Sequence, residues 1–260
     1  MKIFEDQLGR TIQLPDFPQR IVSVVPSQTE LLHHLGMDNK VLAITKFCVH
    51  PREWFCDKTR VGGTKTLDLD KIRGLQPDLI IANKEESDQW QIEELMQEFP
   101  VWVSDINTVD DALEMIASIG DITHTATRAG YLVDEVRNGF KQLTALPNIR
   151  SAYFIWRKPW MVAGHTTYIN DLMQRCGMAN VFAHRDSRYP EISNEEIVAA
   201  QPQLILLSSE PYPFKAKHLA ELQILCPQAK ILLVDGEMFS WYGSRMLEAT
   251  VYLKQLIRSI

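Results

Sequence analysis

The chain repeats itself. Residues 67–81 run Leu-Asp-Leu-Asp-Lys-Ile-Arg-Gly-Leu-Gln-Pro-Asp-Leu-Ile-Ile, and residues 192–206 run Ile-Ser-Asn-Glu-Glu-Ile-Val-Ala-Ala-Gln-Pro-Gln-Leu-Ile-Leu. They align without a gap: Asp70 falls on Glu195, Ile72 on Ile197 and Gln76-Pro77 on Gln201-Pro202. Each copy has an acidic residue in the first turn of a short amphipathic helix, where the helix dipole favours it. A proline then ends the helix, and an apolar run of strand length follows. A second echo comes earlier in each half, between residues 31–39 (Leu31 to Gly36-Met37 and Asn39) and residues 172–180 (Leu172 to Gly177-Met178 and Asn180). Two echoes in the same order imply a duplicated α/β unit. The length of 260 residues suits two such units of about 130 residues each.

Taken in order, Ile3 to Leu14 reads as a hairpin about Gln7-Leu8-Gly9-Arg10, closed by Pro15 and Pro18. Residues 20–25 form a continuous β-branched run, the mark of a buried parallel strand. Ser27 or Thr29 is positioned to cap a helix over Thr29–Leu35, which Gly36 stops. Val41–Thr45 is the next strand, and Arg60 to Thr64 reads as a flexible turn. Thr123 to Leu146 is apolar at Ala126, Ala129, Leu132, Val133, Val136, Phe140 and Leu143, a helical period. Such a helix would run about 35 Å before Pro147 and act as a rigid spine. In the second half, strands are expected at Ala152–Trp156, Met161–Ala163 and Lys230–Val234. Helices are expected at Tyr168–Cys176 and Arg245–Ile260. The resulting organisation is an N-terminal lobe over residues 1–121, a connecting helix over 122–147 and a C-terminal lobe over 148–260. The fold class is α/β, with two similar Rossmann-like lobes joined by a long backbone helix and a ligand cleft between them.

Composition narrows the function. The net charge of −6 and the absence of a basic run argue against nucleic acid as a partner. No window reaches the roughly 18 apolar residues of a membrane helix, so no membrane insertion is expected. Met1-Lys2-Ile3-Phe4-Glu5-Asp6 is not a signal peptide, because acids arrive where the apolar core belongs. The chain therefore works in the cytoplasm if Met1 is the native start, or in the periplasm if a leader has been removed. Cys48, Cys56, Cys176 and Cys226 show no metal spacing and read as buried or half-buried thiols.

Ligands of open parallel sheets bind beyond the carboxyl ends of the strands. The corresponding loops carry Phe47, Trp156, Trp160, Tyr189, Tyr212, Phe214, Phe239, Trp241 and Tyr242, and aromatic residues gathered outside a core mark a binding surface. Asp235 and Glu237 flank the last of these loops as hydrogen-bond acceptors or turn caps. There is no nucleophile elbow and no phosphate-binding loop, so no enzymatic step and no catalytic residue is expected. His33 and His34 face different ways on one helix, and His50, His165, His184 and His218 are scattered. No metal site is assigned.

The run from Arg20 to Leu32, then Val61-Gly62-Gly63, Leu69 to Ile72 and Gln76 to Ile80, resembles substrate-binding proteins of ABC importers with a helical backbone, the class III periplasmic binding proteins. Ser208 to Phe214 and Asp235 to Arg245 bring it nearest the cobalamin (vitamin B-twelve) branch. The resemblance implies a transport protein, monomeric, without a prosthetic group. Its ligand would be a cobalt corrinoid held between the lobes, and its partner the permease of an ABC transporter, docked through Asp70 and Glu195. It implies ligand contacts from Phe47, Trp156, Tyr189, Tyr212, Phe214, Glu237, Phe239 and Trp241. Thr64 and Asn83 stand where cobalamin binders can carry tryptophans. Cys176 matches a cysteine that can be bridged to the last helix, which has no cysteine here. Two alternatives stay open: a siderophore or haem as ligand, with Arg157, Lys158, Arg185 and Arg188 as cations for an anionic chelate, or a leaderless cytoplasmic protein that handles corrinoids.

Overall fold

Two apolar runs that follow arginines, Arg20 and Arg150, become the central strands of two separate sheets. The computed structural model describes all residues from Met1 to Ile260. Its contacts divide into two units. The first holds Met1–Asp105, Asp110–Glu135 and Tyr242–Arg245; the second holds Ile106–Val109, Val136–Trp241 and Met246–Ile260.

Unit 1 opens with the expected hairpin, β1 (Lys2–Glu5) against β2 (Thr11–Leu14). Buried Asp6 fixes its turn, accepting from Leu8 N at 3.0 Å and Arg10 N at 2.9 Å. Then come β3 (Ile21–Ser23), α1 (Pro26–His34), β4 (Val41–Ile44), α2 (Arg52–Asp57) and β5 (Thr59–Arg60). A small hairpin follows, β6 (Gly62–Gly63) with β7 (Thr66–Leu67), and then α3 (Leu69–Leu75), β8 (Leu79–Asn83), α4 (Gln89–Met96) and β9 (Val101–Ser104). Helices α5 (Val109–Ile122) and α6 (Ala126–Lys141) complete this half of the chain. The sheet order is β5-β4-β3-β8-β9, all parallel. Burial on both faces explains why its strands are continuous apolar runs. Val22, Val24, Ala43, Ile72, Ile80, Leu95 and Val103 form the core on one face.

Unit 2 contains β10 (Ile149–Trp156), β11 (Trp160–Val162), α7 (Tyr168–Arg175), β12 (Met178–Asn180), β13 (Glu191–Ile192) and α8 (Asn194–Ala200). It ends with β14 (Leu204–Ser208), α9 (Ala216–Leu225), β15 (Lys230–Val234), α10 (Glu237–Ser240) and α11 (Met246–Ser259). The order is β13-β11-β10-β14-β15, with β12 also on β10. Strands β10, β12, β14 and β15 are parallel, β11 pairs antiparallel with β10, and β13 pairs antiparallel with β11.

The duplication holds at the level of single hydrogen bonds. Ile21 faces Leu79 in one sheet and Ser151 faces Leu204 in the other, so aligned positions have aligned registers. Asp68 caps α3 by accepting from Lys71 N, and Ser193 caps α8 by accepting from Glu196 N within a capping box. Both helices stop at a left-handed glutamine, Gln76 and Gln201, each at φ 44°. In both units an arginine reaches back to the helix end. Arg20 donates to the Leu75 and Gln76 carbonyls, and Arg150 to the Ala200 and Gln201 carbonyls. These guanidinium groups satisfy carbonyls that a helix C-terminus leaves without partners. The earlier echo ends alike too, at Gly36 (φ 82°) and Gly177 (φ 74°).

Three expectations need correction. Helix α1 starts at Pro26 and has no side-chain cap. Ser27 and Thr29 lie buried inside it, and Thr29 Oγ1 bonds instead to Val25 O and to Ser23 Oγ. Proline at the first turn lacks the N–H that a cap would satisfy. The stretch from Arg60 to Thr64 is not a loose turn, since Arg60 pairs in β5 and Gly62-Gly63 pair with Thr66-Leu67. The helix expected over Thr123–Leu146 is α6, 16 residues long and therefore about 24 Å. Thr123 hydrogen-bonds back to Ile119 O, and Leu146 N is taken by Cys176 O. The division between units falls within α6, after Glu135.

Candidate ligand-binding surfaces

In unit 1 the loop after β4 presents Phe47, 51% exposed. The ring lies over the backbone of β6, where a Cβ on Gly63 would come within 3.1 Å of it, and Lys46 Nζ sits 5.1 Å from the ring centroid. Next to it Lys65 Nζ donates to Glu85 O at 2.6 Å and Ser87 O at 2.8 Å, tying the loop after β8 to the hairpin. Asn83 is buried and shapes that same loop: its Oδ1 accepts from Glu85 N and Glu86 N, and its Nδ2 donates to Ser104. It therefore cannot replace an aromatic wall. Tyr242 donates to Glu86 Oε1 at 3.0 Å.

In unit 2 the loops after β10 and β14 build one aromatic cluster. Trp156, 39% exposed, meets Tyr212 edge-on at 5.5 Å, and Tyr212 meets Phe214 at 4.9 Å. Phe214 stacks on Trp160 at 6.2 Å, and the Arg157 guanidinium covers Trp160 at 4.2 Å. Arg157 also pairs with Glu221 at 2.8 Å, which holds that carboxyl below its usual range. His218 Nδ1 accepts from Lys215 N, so its ring proton sits on Nε2, 3.2 Å from the Tyr212 hydroxyl. Burial lowers its pKa.

Around the loops after β14 and β15 the sequence was only partly legible. Glu210 is the hub there. Its Oε1 accepts from Ser240 Oγ at 2.7 Å and Trp241 Nε1 at 3.0 Å. Burial first, then the neighbouring Glu237 and Asp235 carboxylates, push its pKa up. A Cβ on Gly236 would lie 2.5 Å from its Cγ, so only glycine admits this approach. The signal for Glu210 was present, an acid directly after the β14 run, but nothing in one sequence shows that it turns inward.

The expected contact residues divide by burial. Phe47, Trp156, Tyr189, Tyr212 and Glu237 keep accessible surface. Phe214 and Trp241 are buried in the clusters described. Phe239 is fully buried and packs on Tyr153 at 4.9 Å and Tyr252 at 6.4 Å, so it is a core ring beneath the loop rather than a wall. Cys56, expected to be at least half buried, is exposed, while Cys48, Cys176 and Cys226 are buried and free. Asp70 and Glu195 are both exposed in the first turns of α3 and α8. No group of His, Cys, Asp and Glu is arranged to hold a metal ion, and no helix is long and apolar enough to cross a membrane.

Known proteins share this layout. The vitamin B12-binding protein of Pectobacterium carotovorum is 25% identical over 241 residues, 89% of this chain and 86% of that one. The periplasmic vitamin B12 binding protein BtuF of Vibrio cholerae superposes with a TM-score of 0.77 at 21% identity, covering 94% of this chain and 98% of its own. The periplasmic heme binding protein HutB of Vibrio cholerae does so with a TM-score of 0.76 at 21% identity, covering 92% and 98%. The model of the periplasmic binding protein family matches residues 21–223, and this chain is a member of that family.

Proposed function

We propose that this protein captures a corrinoid and delivers it to an ABC importer, without a catalytic step. The observation that carries the reading is the similarity to a vitamin B12-binding protein along nearly the whole of both chains. The accessible rings Phe47, Trp156, Tyr189 and Tyr212 suit a bulky, flat guest, with Glu237 as an orienting acceptor. Phe214 packs against Tyr212 within the same unit. Asp70 and Glu195, repeated on the two units, are the anionic contacts for arginines of the permease. On this reading the chain works in the periplasm.

The siderophore alternative needs free cations, and the structure spends several of them internally. Arg157 pairs with Glu221, Arg185 with Glu196, and Arg188 donates to Asn107 Oδ1. Calorimetric titration with cyanocobalamin and cobinamide should give a Kd of about 1 μM or tighter, together with quenching of tryptophan fluorescence. Absence of both heat and quenching, or much tighter binding of haemin in a parallel titration, overturns the corrinoid reading.

A further inference from the structure

We infer that Lys46 and Phe47 form a two-part subsite on unit 1 that selects a flat guest carrying an anionic oxygen group: the Lys46 ammonium takes the charge and the Phe47 ring the apolar body. The subsite presupposes the corrinoid reading above and adds to its ring wall a cation that chooses between guests. Lys46 N donates to Gly62 O at 2.8 Å, which pins the loop after β4 onto the β6 strand. A Cβ on Gly63 would come 3.1 Å from Phe47 Cε2 and 3.2 Å from Lys46 Cε. The bare glycine is therefore the floor under both side chains. The Lys46 Nζ sits 5.1 Å from the Phe47 ring centroid, and both residues are exposed.

This cation differs from others held beside rings because nothing in the protein matches it. In unit 2 the Arg157 guanidinium over Trp160 is paired with Glu221. In unit 1 the Lys58 ammonium beside Trp54 donates to Asp38 O. Lys65, the cation of the adjoining hairpin, is engaged by the Glu85 and Ser87 carbonyls. Lys46 Nζ has no ion pair and no hydrogen bond, and its only partner is the exposed ring. All of its donors remain available to a guest.

A neutral amide on the rim of a macrocycle can accept from Nζ, but a charged oxygen forms a bond roughly twice as strong. The ring next to it supplies an apolar face for the body of the same guest. Such a pair discriminates by charge between ligands of one shape. Cobalamin carries a phosphodiester between its corrin and its nucleotide loop, and cobinamide has none. Haem would offer carboxylates to the same ammonium.

The test is titration calorimetry of the full chain with cyanocobalamin, dicyanocobinamide and haemin, at low and high salt. Lys46→Met keeps an unbranched stem over Gly63 and removes the charge. It should weaken cyanocobalamin binding about tenfold while moving dicyanocobinamide by about twofold or less. It should also flatten the salt dependence of cyanocobalamin binding, and Lys46→Arg should restore most of both effects. The melting temperature should stay unchanged, because the bond to Gly62 is made by the backbone. Equal losses for cyanocobalamin and dicyanocobinamide, or no loss for either, overturn the inference and leave the corrinoid reading standing. If haemin is the tighter guest, the corrinoid reading falls. The subsite then stands only if Lys46→Met weakens haemin binding with the same loss of salt dependence, which assigns it to carboxylates. A wild-type chain that binds none of the three removes both the reading and the subsite.

Discussion

Phe47 and Phe239 both follow strands, and single-sequence reasoning cannot tell them apart. Phe47 is half exposed over Gly63, whereas Phe239 fills the space between Tyr153 and Tyr252. Phe47→Ala should lower corrinoid affinity about tenfold and leave the melting temperature nearly unmoved. Phe239→Ala should cost about 3–5 kcal/mol of stability, measurable by urea denaturation. Glu210 gives a pH signature. Its folded-state pKa is raised above the ordinary 4.5 by burial, so the folded protein binds more protons than the unfolded chain above that pH. Stability from this group is therefore full below about pH 4.5 and is lost as pH rises through the folded pKa. Glu210→Gln keeps an acceptor for Ser240 and Trp241 without the charge. The variant should gain stability over wild type as pH is raised from 4 to 7 in denaturation series, and an unchanged difference across that range contradicts the assignment.

Whole elements were more legible than single side chains, because a repeat constrains them twice. The acid-helix-Gln-Pro-strand pattern announced α3–β8 and α8–β14 correctly, since dipole, proline and apolar run act locally. The arginine clamps were not legible: Arg20 and Arg150 lie 56 and 51 residues before the glutamine carbonyls they reach, and no local period encodes that pairing. The start of α1 departs from its local signals for a related reason. Ser27 and Thr29 have the right chemistry for a cap, but Pro26 already begins the helix and their hydroxyls face buried surroundings. If the clamps matter as helix stops, Arg20→Ala and Arg150→Ala should each cost about 1 kcal/mol, with additive effects because the two sites share no partner. Gln201→Gly should act the other way, by roughly 0.5–1 kcal/mol, since glycine accepts the left-handed conformation without the Cβ penalty. Thermal melts of the single and double variants decide both points.

At the scale of the molecule, the two units are not two consecutive pieces of chain. Unit 1 is completed by Tyr242–Arg245, which arrive after nearly all of unit 2 has been laid down. That short segment is strongly held. Arg245 Nε and Nη2 bond both oxygens of Glu30 at 2.9 and 2.5 Å, across 215 residues of sequence. Tyr242 bonds Glu86, and Gly243 (φ 102°) lies against Ser27 and Leu31 where a side chain would crowd them. A mostly buried carboxylate that loses its guanidinium costs about 3–5 kcal/mol, whereas removing both charges for apolar groups of similar volume is often neutral. Arg245→Ala should therefore destabilise the protein by that amount, and Glu30→Leu combined with Arg245→Met should recover most of it. The same dependence predicts that a fragment ending at Glu135 will not fold stably, because Glu30 is left without its partner and the α1 surface without its cover. Circular dichroism and urea titration of the fragment, alone and with a peptide spanning Phe239 to Leu247, would read this directly. A fragment that melts cooperatively without the peptide would show that unit 1 carries its stability in the first half of the chain alone.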